Sequence, residues 1–410
     1  MSAPSMNKRY VGAWALFDFA NSVYPAVMTT AVFPVFYVNF VVGDDGGLGE
    51  LWWSRAVSLS ALVVAASSPL LGAIADRGGA RKRFMLGYTI VCLIAVAMMS
   101  TLDQGMVIQG FLLFVVANVG FESALVFYNA YLPDIAPAEK QGWVSGLGFG
   151  VGYLGSALGL LMVIPFATDR IELVWLMVSG CFLIFALPAF LVLPKDEPTG
   201  MSIAQAARWG VTSFREIVGE VWALTDLRNF LIAFFFYIDG VLTIIVMAGV
   251  VATETFGFDQ QGTIVLFLIV QFSALIGAFV LARTTDRLGP KKVLNGVLAL
   301  WISVGIAAYF IQSQTLFYVM AVLAGLGLGS VQAASRAFLS SLIPAGKEAR
   351  IFGFYALCGK SSSVLGPMLF GYITLFAGGN QRPAFLALTG LFLLGLVLLQ
   401  RVPDPRAAAR

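Results

Sequence analysis

Gly72-Ala-Ile-Ala-Asp-Arg-Gly-Gly-Ala-Arg-Lys-Arg83 is a short basic loop set between two long apolar stretches, and it recurs. In Gly277-Ala-Phe-Val-Leu-Ala-Arg-Thr-Thr-Asp-Arg-Leu-Gly-Pro-Lys-Lys292 the pair Asp286-Arg287 falls 210 positions after Asp76-Arg77. A second echo sets Tyr131-Leu-Pro-Asp-Ile-Ala-Pro137 over Phe338-Leu-Ser-Ser-Leu-Ile-Pro344 at an offset of 207. The same offset carries Lys140 onto Lys347, Gly146 onto Gly353 and Gly159 onto Gly366. Self-similarity on this scale means two related halves of about 200 residues each.

Hydrophobic residues make up 59% of the 410 and charged residues 11%, with 34 Phe and a mean hydropathy of +0.88. At that composition a chain has too little polar surface to face water, so its solvent is lipid. About 20 apolar residues cross a hydrocarbon core as helix. Charged or turn-rich breaks divide this chain into twelve such stretches: 11–40, 52–75, 84–101, 106–132, 142–165, 172–193, 229–252, 262–282, 293–312, 315–341, 351–376 and 383–400. A β-barrel needs alternating segments of about ten residues, whereas these runs are continuous and rich in Leu, Ala, Gly and Phe. The expected fold is all-α, with twelve transmembrane helices in two pseudo-symmetric six-helix halves, 1–194 and 229–410. A cytoplasmic linker, 195–228, joins them. Lys8-Arg9 looks like the start of a signal peptide, but the run after it is far longer than an h-region and shows no small-residue cleavage site. The first helix is expected to stay attached.

Basic residues set the orientation. With both termini cytoplasmic, Arg55, Arg170 and Arg382 fall outside, Arg336 and Lys360 fall within spans, and every other Lys and Arg lies inside. The expectation is a multi-pass, monomeric protein of a bacterial inner membrane, in contact with the lipid bilayer and a small-molecule substrate. Positive-inside anchors account for the net charge of +3, which gives no reason to expect nucleic acid. Cys92, Cys181 and Cys358 fall inside spans without CxxC pairing, so neither a disulfide framework nor a metal site is expected. The chain has no His, which removes the commonest metal ligand and general base together. No Ser-His-Asp set can exist and no catalytic domain fits in such short loops. Neither an enzyme nor a cofactor is expected.

The first span opens Trp14-Ala-Leu-Phe-Asp-Phe-Ala-Asn-Ser-Val-Tyr-Pro25. Spacings of 4, 3 and 4 set Trp14, Asp18, Asn21 and Pro25 on one face, too polar to meet lipid. Pro25 and Pro34 remove backbone donors, so a bend is expected whose freed carbonyls need new partners. Span four carries Asn118, Glu122 and Asn129 on one face. Span five is dense in glycine, at 146, 148, 150, 152, 155 and 159, which lets helix backbones approach closely. Between the halves, Lys195-Asp-Glu-Pro-Thr-Gly200 leads to Ile203, Ala207, Phe214, Ile217, Val221 and Trp222 interspersed with charges. That pattern predicts an amphipathic helix on the inner membrane face. In the second half Asp239 sits in span seven as Asp18 sits in span one. Span ten holds Gln332, Ser335 and Arg336, and span eleven holds Lys360 followed by Ser361-Ser-Ser363. Trp14, Tyr24, Tyr128 and Tyr237 are expected along a cavity, while Asp134 and Glu254, near span ends, read as interfacial.

A charge within a span costs roughly 2.5–3.5 kcal/mol on insertion scales, which makes Asp18, Glu122, Asp239, Arg336 and Lys360 functional candidates. Three acids face two bases. Two ion pairs leave one carboxyl without a fixed partner, as proton coupling requires, and Glu122 and Asp18 lead that choice. A competing reading makes static pairs of Asp18 with Arg336 and Glu122 with Lys360. In a third, the two bases bind a substrate carboxylate. The candidate substrate and coupling set is Asp18, Asn21, Tyr24, Glu122, Asn129, Asp239, Gln332, Arg336 and Lys360.

The pattern at 72–83 and its second copy resemble the cytoplasmic loop motif of the major facilitator superfamily. Trp14 to Ser22, followed by Val32-Phe-Pro-Val-Phe-Tyr37, is similar to the first helix of its Atg22-like branch, named for a vacuolar amino-acid effluxer of fungi. The second loop departs in its longer interval between Gly277 and Asp286. The resemblance implies a solute carrier with a central cavity between two six-helix halves, working by alternating access. It also implies a cytoplasmic lock at Asp76, Arg77 and Arg81, with Asp286 and Arg287 as the counterpart. The expected function is secondary active transport of a small polar solute, zwitterionic or anionic and amino-acid-like, coupled to protons. Three alternatives stand beside it: efflux of amphipathic compounds, sodium coupling through Asp, Asn and Ser oxygens, and a receptor that does not transport.

Overall fold

The computed structural model describes residues 6–43, 48–167, 169–197, 199–362 and 365–404; Pro198 and Ser363 of the stretches above lie outside them. Among the described residues there are helices and no strands. Among the described residues eleven helices are long and apolar enough to cross a membrane. Six come first: α1 (Lys8–Val42), α2 (Leu48–Gly78), α3 (Arg81–Thr101), α4 (Val107–Ile135), α5 (Ala138–Phe166) and α6 (Ile171–Val192). After the short α7 (Ile203–Thr212) and α8 (Phe214–Ala223) follow α9 (Thr225–Glu254), α10 (Val265–Leu288), α11 (Pro290–Phe310) and α12 (Gln314–Leu342). The stretch expected at 351–376 holds two helices shorter than a span, α13 (Glu348–Ser362) and α14 (Leu365–Phe376), and α15 (Arg382–Gln400) ends the series. Large apolar side chains stay uncovered, Leu191 at 73% and Phe376 at 85% exposure, which suits helices whose outer faces meet hydrocarbon.

The chain divides into two compact units. The first comprises Met1–Ala136, Val151–Phe214 and Ala345–Leu357. In it α1 packs on α6, α3 on α4, and α2 on α4 and α7. The second comprises Pro137–Gly150, Arg215–Pro344 and Cys358–Arg410. There α10 packs on α12, α9 on α15, α11 on both α12 and α15, and α14 on α15.

α1 departs from regular geometry where its prolines fall. Pro25–Ala31 and Tyr37–Val42 wind as wider π-type turns, with Val32 N–H donating five residues back to Val27 O at 3.0 Å. Thr29 Oγ1 donates to the Pro25 carbonyl at 2.8 Å, the kind of local rescue a broken ladder in lipid needs. The glycines of α5 serve close packing. Cβ atoms at Gly146 and Gly150 would strike Ala282 and Phe279 of α10, and those at Gly155 and Gly159 would strike Phe19 and Val23 of α1. The linker forms two helices where one is expected, broken at Ser213. α7 begins with a capping box between Ser202 and Gln205 and lays Gly210 on Ile74 and Leu70 of α2. Ala206 and Gly210 make its buried side, whereas Ile203 is exposed.

Candidate functional site

The repeated loop ends α2 because Gly79 adopts φ +54°, where a Cβ would also run into the Glu197 carbonyl. Three residues earlier the Asp76 side chain, 2% exposed, accepts the N–H of Ala349 at 3.1 Å and of Arg350 at 2.8 Å. These belong to the first turn of α13, whose N–H groups have no acceptor within their own helix. Asp76 is therefore a cap supplied by another helix, with its charge at the positive end of the helix macrodipole. Gly72 makes the approach possible: a Cβ there would fall on Ala349 O, and one on Gly353 would fall on Ser68 O. Arg81, at the start of α3, gathers three carboxylates, Asp134 at 3.1 Å, Glu348 at 3.5 Å and Asp76 at 3.9 Å. It also donates to Ala130 O at 3.3 Å, and Glu348 accepts the Gly346 N–H at 2.9 Å. Arg77 is exposed and lies against Trp209 of α7, 5.0 Å from the ring centre, while Arg350 lies 5.6 Å from the same ring. Two guanidiniums on one indole tie the linker to this network.

The second unit repeats the cap with fewer charges. Gly289, 210 positions after Gly79, adopts φ +93° and ends α10. Asp286 Oδ2 accepts the Trp143 N–H at 3.1 Å near the start of α5, with Gly142 and Gly146 allowing contact with Thr285 and Ala282. Under the 207 offset Trp143 lies on Arg350 and Gly146 on Gly353, so the two caps are copies of one another. Arg287 is exposed. Deeper in, buried Arg336 donates from Nε to Ser145 Oγ at 2.9 Å and from Nη2 to Ser145 O at 2.8 Å, with its guanidinium 4.1 Å from the Phe149 ring centre. Ser145 Oγ donates in turn to Ala333 O at 2.8 Å. A guanidinium thus clamps α12 to the start of α5.

Within the first unit, Asn21 Nδ2 donates to Asp18 Oδ1 at 3.3 Å, and both side chains are buried. Tyr24 stacks on Phe121 at 4.5 Å, and Trp14 stacks on Tyr128 at 4.6 Å while donating its indole N–H to Tyr128 O at 3.0 Å. In the second unit the Tyr237 and Ser335 hydroxyls share a hydrogen bond of 2.8 Å. All four of the aromatic side chains expected along a cavity are fully buried, so they face neighbouring helices. Glu122 and Asn129 on α4, Gln332 on α12 and Lys360 on α13 are half-buried. Asp239 differs from the other intramembrane acids. It is fully buried and in no ion pair among the described residues. Among them the backbone N–H of Gly366 is the only polar group turned toward it, without reaching good hydrogen-bond geometry. Asp18 and Glu122, the carboxyls the sequence favours as unpartnered, both have partners.

Motif and periodicity do not single out Glu348, Arg350 or Trp209, and they leave Asp134 at the interface. The 207 offset nevertheless carries a signal, since it sets Glu348 over Gln141 and Ser341 over Asp134. Charge is present in one copy only, at the two positions that meet Arg81.

Two sets of apolar helices with capped, basic loops form the fold of the major facilitator transporters. The human organic anion transporter MFSD10 (TETRAN) shares it with a TM-score of 0.77 and 14% identity, over 96% of this chain and 99% of that one. Residues 55–410 match the family described as "Vacuole effluxer Atg22 like", and the chain belongs to that family. Its relatives include the uncharacterized MFS-type transporter YxiO of Bacillus subtilis (strain 168), 29% identical over 97% of this chain and 96% of that protein. Autophagy-related protein 22 of Coccidioides immitis (strain RS) is 25% identical over 93% of this chain and 77% of its own length. The protein is an MFS-type transporter and not an enzyme.

Proposed function

We propose that this transporter is a secondary active carrier of a small polar solute, zwitterionic or anionic and amino-acid-like, that works by alternating access with proton coupling. The observation that carries this reading is the presence of ionisable side chains of both signs among apolar helices: Asp18, Glu122, Asp239 and Arg336 lie within helices long enough to span, and Lys360 lies in the shorter α13. A solute with a carboxylate and an ammonium needs both signs, whereas an amphipathic cation needs one acid and many rings. The family's effluxer description and the organic anion substrate in the name of the structural neighbour support the choice. Asp76 and Asp286 act as latches, because their caps exist only while α2 meets α13 and α10 meets α5. Both termini face the cytoplasm of a bacterial cell, and the functional unit is a monomer.

The test is a stabilisation screen of the purified chain against amino acids, peptides, sugars, organic acids and amphipathic cations at two pH values, followed by counterflow in proteoliposomes. Amino acids are expected to stabilise and to exchange, with both effects lost in Lys360→Ala. Stabilisation by amphipathic cations alone replaces this reading with efflux of such compounds. An apolar pocket lined by Ile244, Phe267, Val270, Phe317, Met320 and Phe385 in the second unit favours that rival. Binding without counterflow would mean a receptor.

A further inference from the structure

Asp239 and Thr243 stand one helical turn apart on α9, so their side chains share a face. Asp239 is fully buried and Thr243 is 1% exposed. Among the described residues no hydrogen bond of good geometry reaches either carboxylate oxygen of Asp239 or Thr243 Oγ1; the one polar group turned toward the carboxylate is the backbone N–H of Gly366 on α14. The two side chains approach one point: a Cβ on Gly366 of α14 would stand 2.9 Å from Asp239 Oδ1 and closer still to Thr243 Oγ1. Buried polar atoms are nearly always paired, and a carboxylate without a partner is the costliest exception. Buried oxygens converging beside a glycine define a cradle for a small positive ion.

None of the charged groups on the helices packed against α9 forms an ion pair with Asp239 among the described residues. The helices packed against α9 are α15, α14, α12 and α10. α15 brings Arg382, which lies over the Phe256 ring, and α14 brings Tyr372, which is exposed. On α12, Arg336 is held by Ser145 and Tyr318 donates to Gly262 O. On α10, Arg283 and Arg287 are exposed and Asp286 caps α5. On α9 itself Tyr237 is bonded to Ser335, and Asp226, Arg228 and Glu254 lie three or more turns away. Lys360 of α13 has partners of its own, and Asp239 is in no ion pair among the described residues. One carboxylate balances one positive charge. A divalent ion would be left with half of its charge uncompensated in a buried site, which is costly.

We infer that Asp239 and Thr243, beside Gly366, form a binding site for a monovalent cation, sodium or a proton. Its use as the coupling site rests on the transport reading above; cation binding does not.

The test therefore uses the full chain in detergent with no transported solute. Melting is followed as choline is replaced by sodium at constant ionic strength, and again as pH is varied without sodium. A bound cation raises the melting temperature by mass action. The expected result is a rise of a few degrees in the unaltered protein, absent in Asp239→Asn and reduced in Thr243→Val. A sodium response identifies sodium. A pH response without sodium, together with a carboxylic acid infrared band that vanishes in Asp239→Asn, identifies the proton. Should Asp239→Asn fail to fold, Thr243→Val and Gly366→Ala, whose methyl fills the cradle, take its place. A cation response unchanged in the folded variants overturns the inference, as does a melting curve indifferent to both ions.

Discussion

Asp76 and Asp286 stand 210 positions apart and make the same kind of bond, Asp76 to the N–H of Arg350 at 2.8 Å and Asp286 to that of Trp143 at 3.1 Å. Arg350 and Trp143 are themselves copies under the 207 offset, so the internal repeat preserves a contact and not only a residue type. The surroundings differ. Asp76 shares Arg81 with Asp134 and Glu348, whereas the positions matching those two acids are Ser341 and Gln141. Lys291, which stands where Arg81 would, donates instead to the carbonyls of Gln400 and Val402 at the end of α15. The cap at Asp76 sits in a cluster of three carboxylates and a guanidinium, whereas the positions matching two of those carboxylates are uncharged in the other copy.

Replacing Asp76 separates the cap from the charge. Asp76→Ala strips two N–H groups of their acceptor and takes one carboxylate from Arg81, and is expected to cost about 2–4 kcal/mol. Asp76→Asn keeps a capping oxygen and is expected to cost about 1 kcal/mol less. Asp286→Ala, which takes an acceptor from the N–H of Trp143 where Asp76→Ala takes one from two N–H groups, should cost less than Asp76→Ala. Melting temperatures of the purified variants check the order, and equal losses for Asp76→Asn and Asp76→Ala would remove the cap from the account.

The close crossing of α2 and α13 makes its own prediction. Gly72→Ala sets a methyl against the Ala349 carbonyl and Gly353→Ala sets one against Ser68, so each is expected to destabilise by about 1–3 kcal/mol. Gly87 sits inside α3 with nothing within 4 Å of where its Cβ would be. There Gly87→Ala is expected to stabilise by up to about 1 kcal/mol, because alanine is the better helix former. A destabilised Gly87→Ala, or a neutral Gly72→Ala, would contradict the packing described.

Much of this fold is legible before any coordinates, and the reason is physical. Continuous apolar runs between basic breaks leave little choice but membrane helices, and Pro25 and Pro34 mark where α1 loses its regular ladder. The caps are less legible, because Asp76 and Ala349 stand 273 positions apart and no local pattern names the helix that a loop carboxylate will meet. The linker break at Ser213 is hidden for a similar reason: periodicity shows an apolar face, not that Gly210 must seat on Ile74. The intramembrane charges are the hardest case. Counting three acids and two bases suggests ion pairs, but helix rotation decides what each group meets: Asp18 takes Asn21 and Arg336 takes Ser145, while Asp239 on α9 is buried with no ion pair among the described residues.

Arg81 is expected to depend on its fork. One nitrogen, Nη1, lies within salt-bridge distance of both Asp134 and Glu348 while Nε faces Asp76, a spread that a single ammonium cannot reproduce. Arg81→Lys should therefore lower the melting temperature. Combined with Glu348→Gln it should fall short of the sum of the two changes by about 0.5–3 kcal/mol, the range seen for residues in one network. Strict additivity would mean that Arg81 and Glu348 are neighbours without coupling.

Arg336 raises a question that two substitutions can divide. Its Nε and Nη2 both bond to Ser145, one to the hydroxyl and one to the carbonyl, so Ser145→Ala removes the first bond and leaves the second. That change is expected to cost about 1–2 kcal/mol. Arg336→Lys loses the planar fork and its place over Phe149 and is expected to cost more. The informative comparison is stabilisation by a solute from the screen, measured in both variants. Equal losses would mean that the guanidinium acts by holding α12 against the start of α5. A loss confined to Arg336→Lys would mean direct contact with the solute's carboxylate, because Ser145→Ala disturbs the same joint without removing the charge.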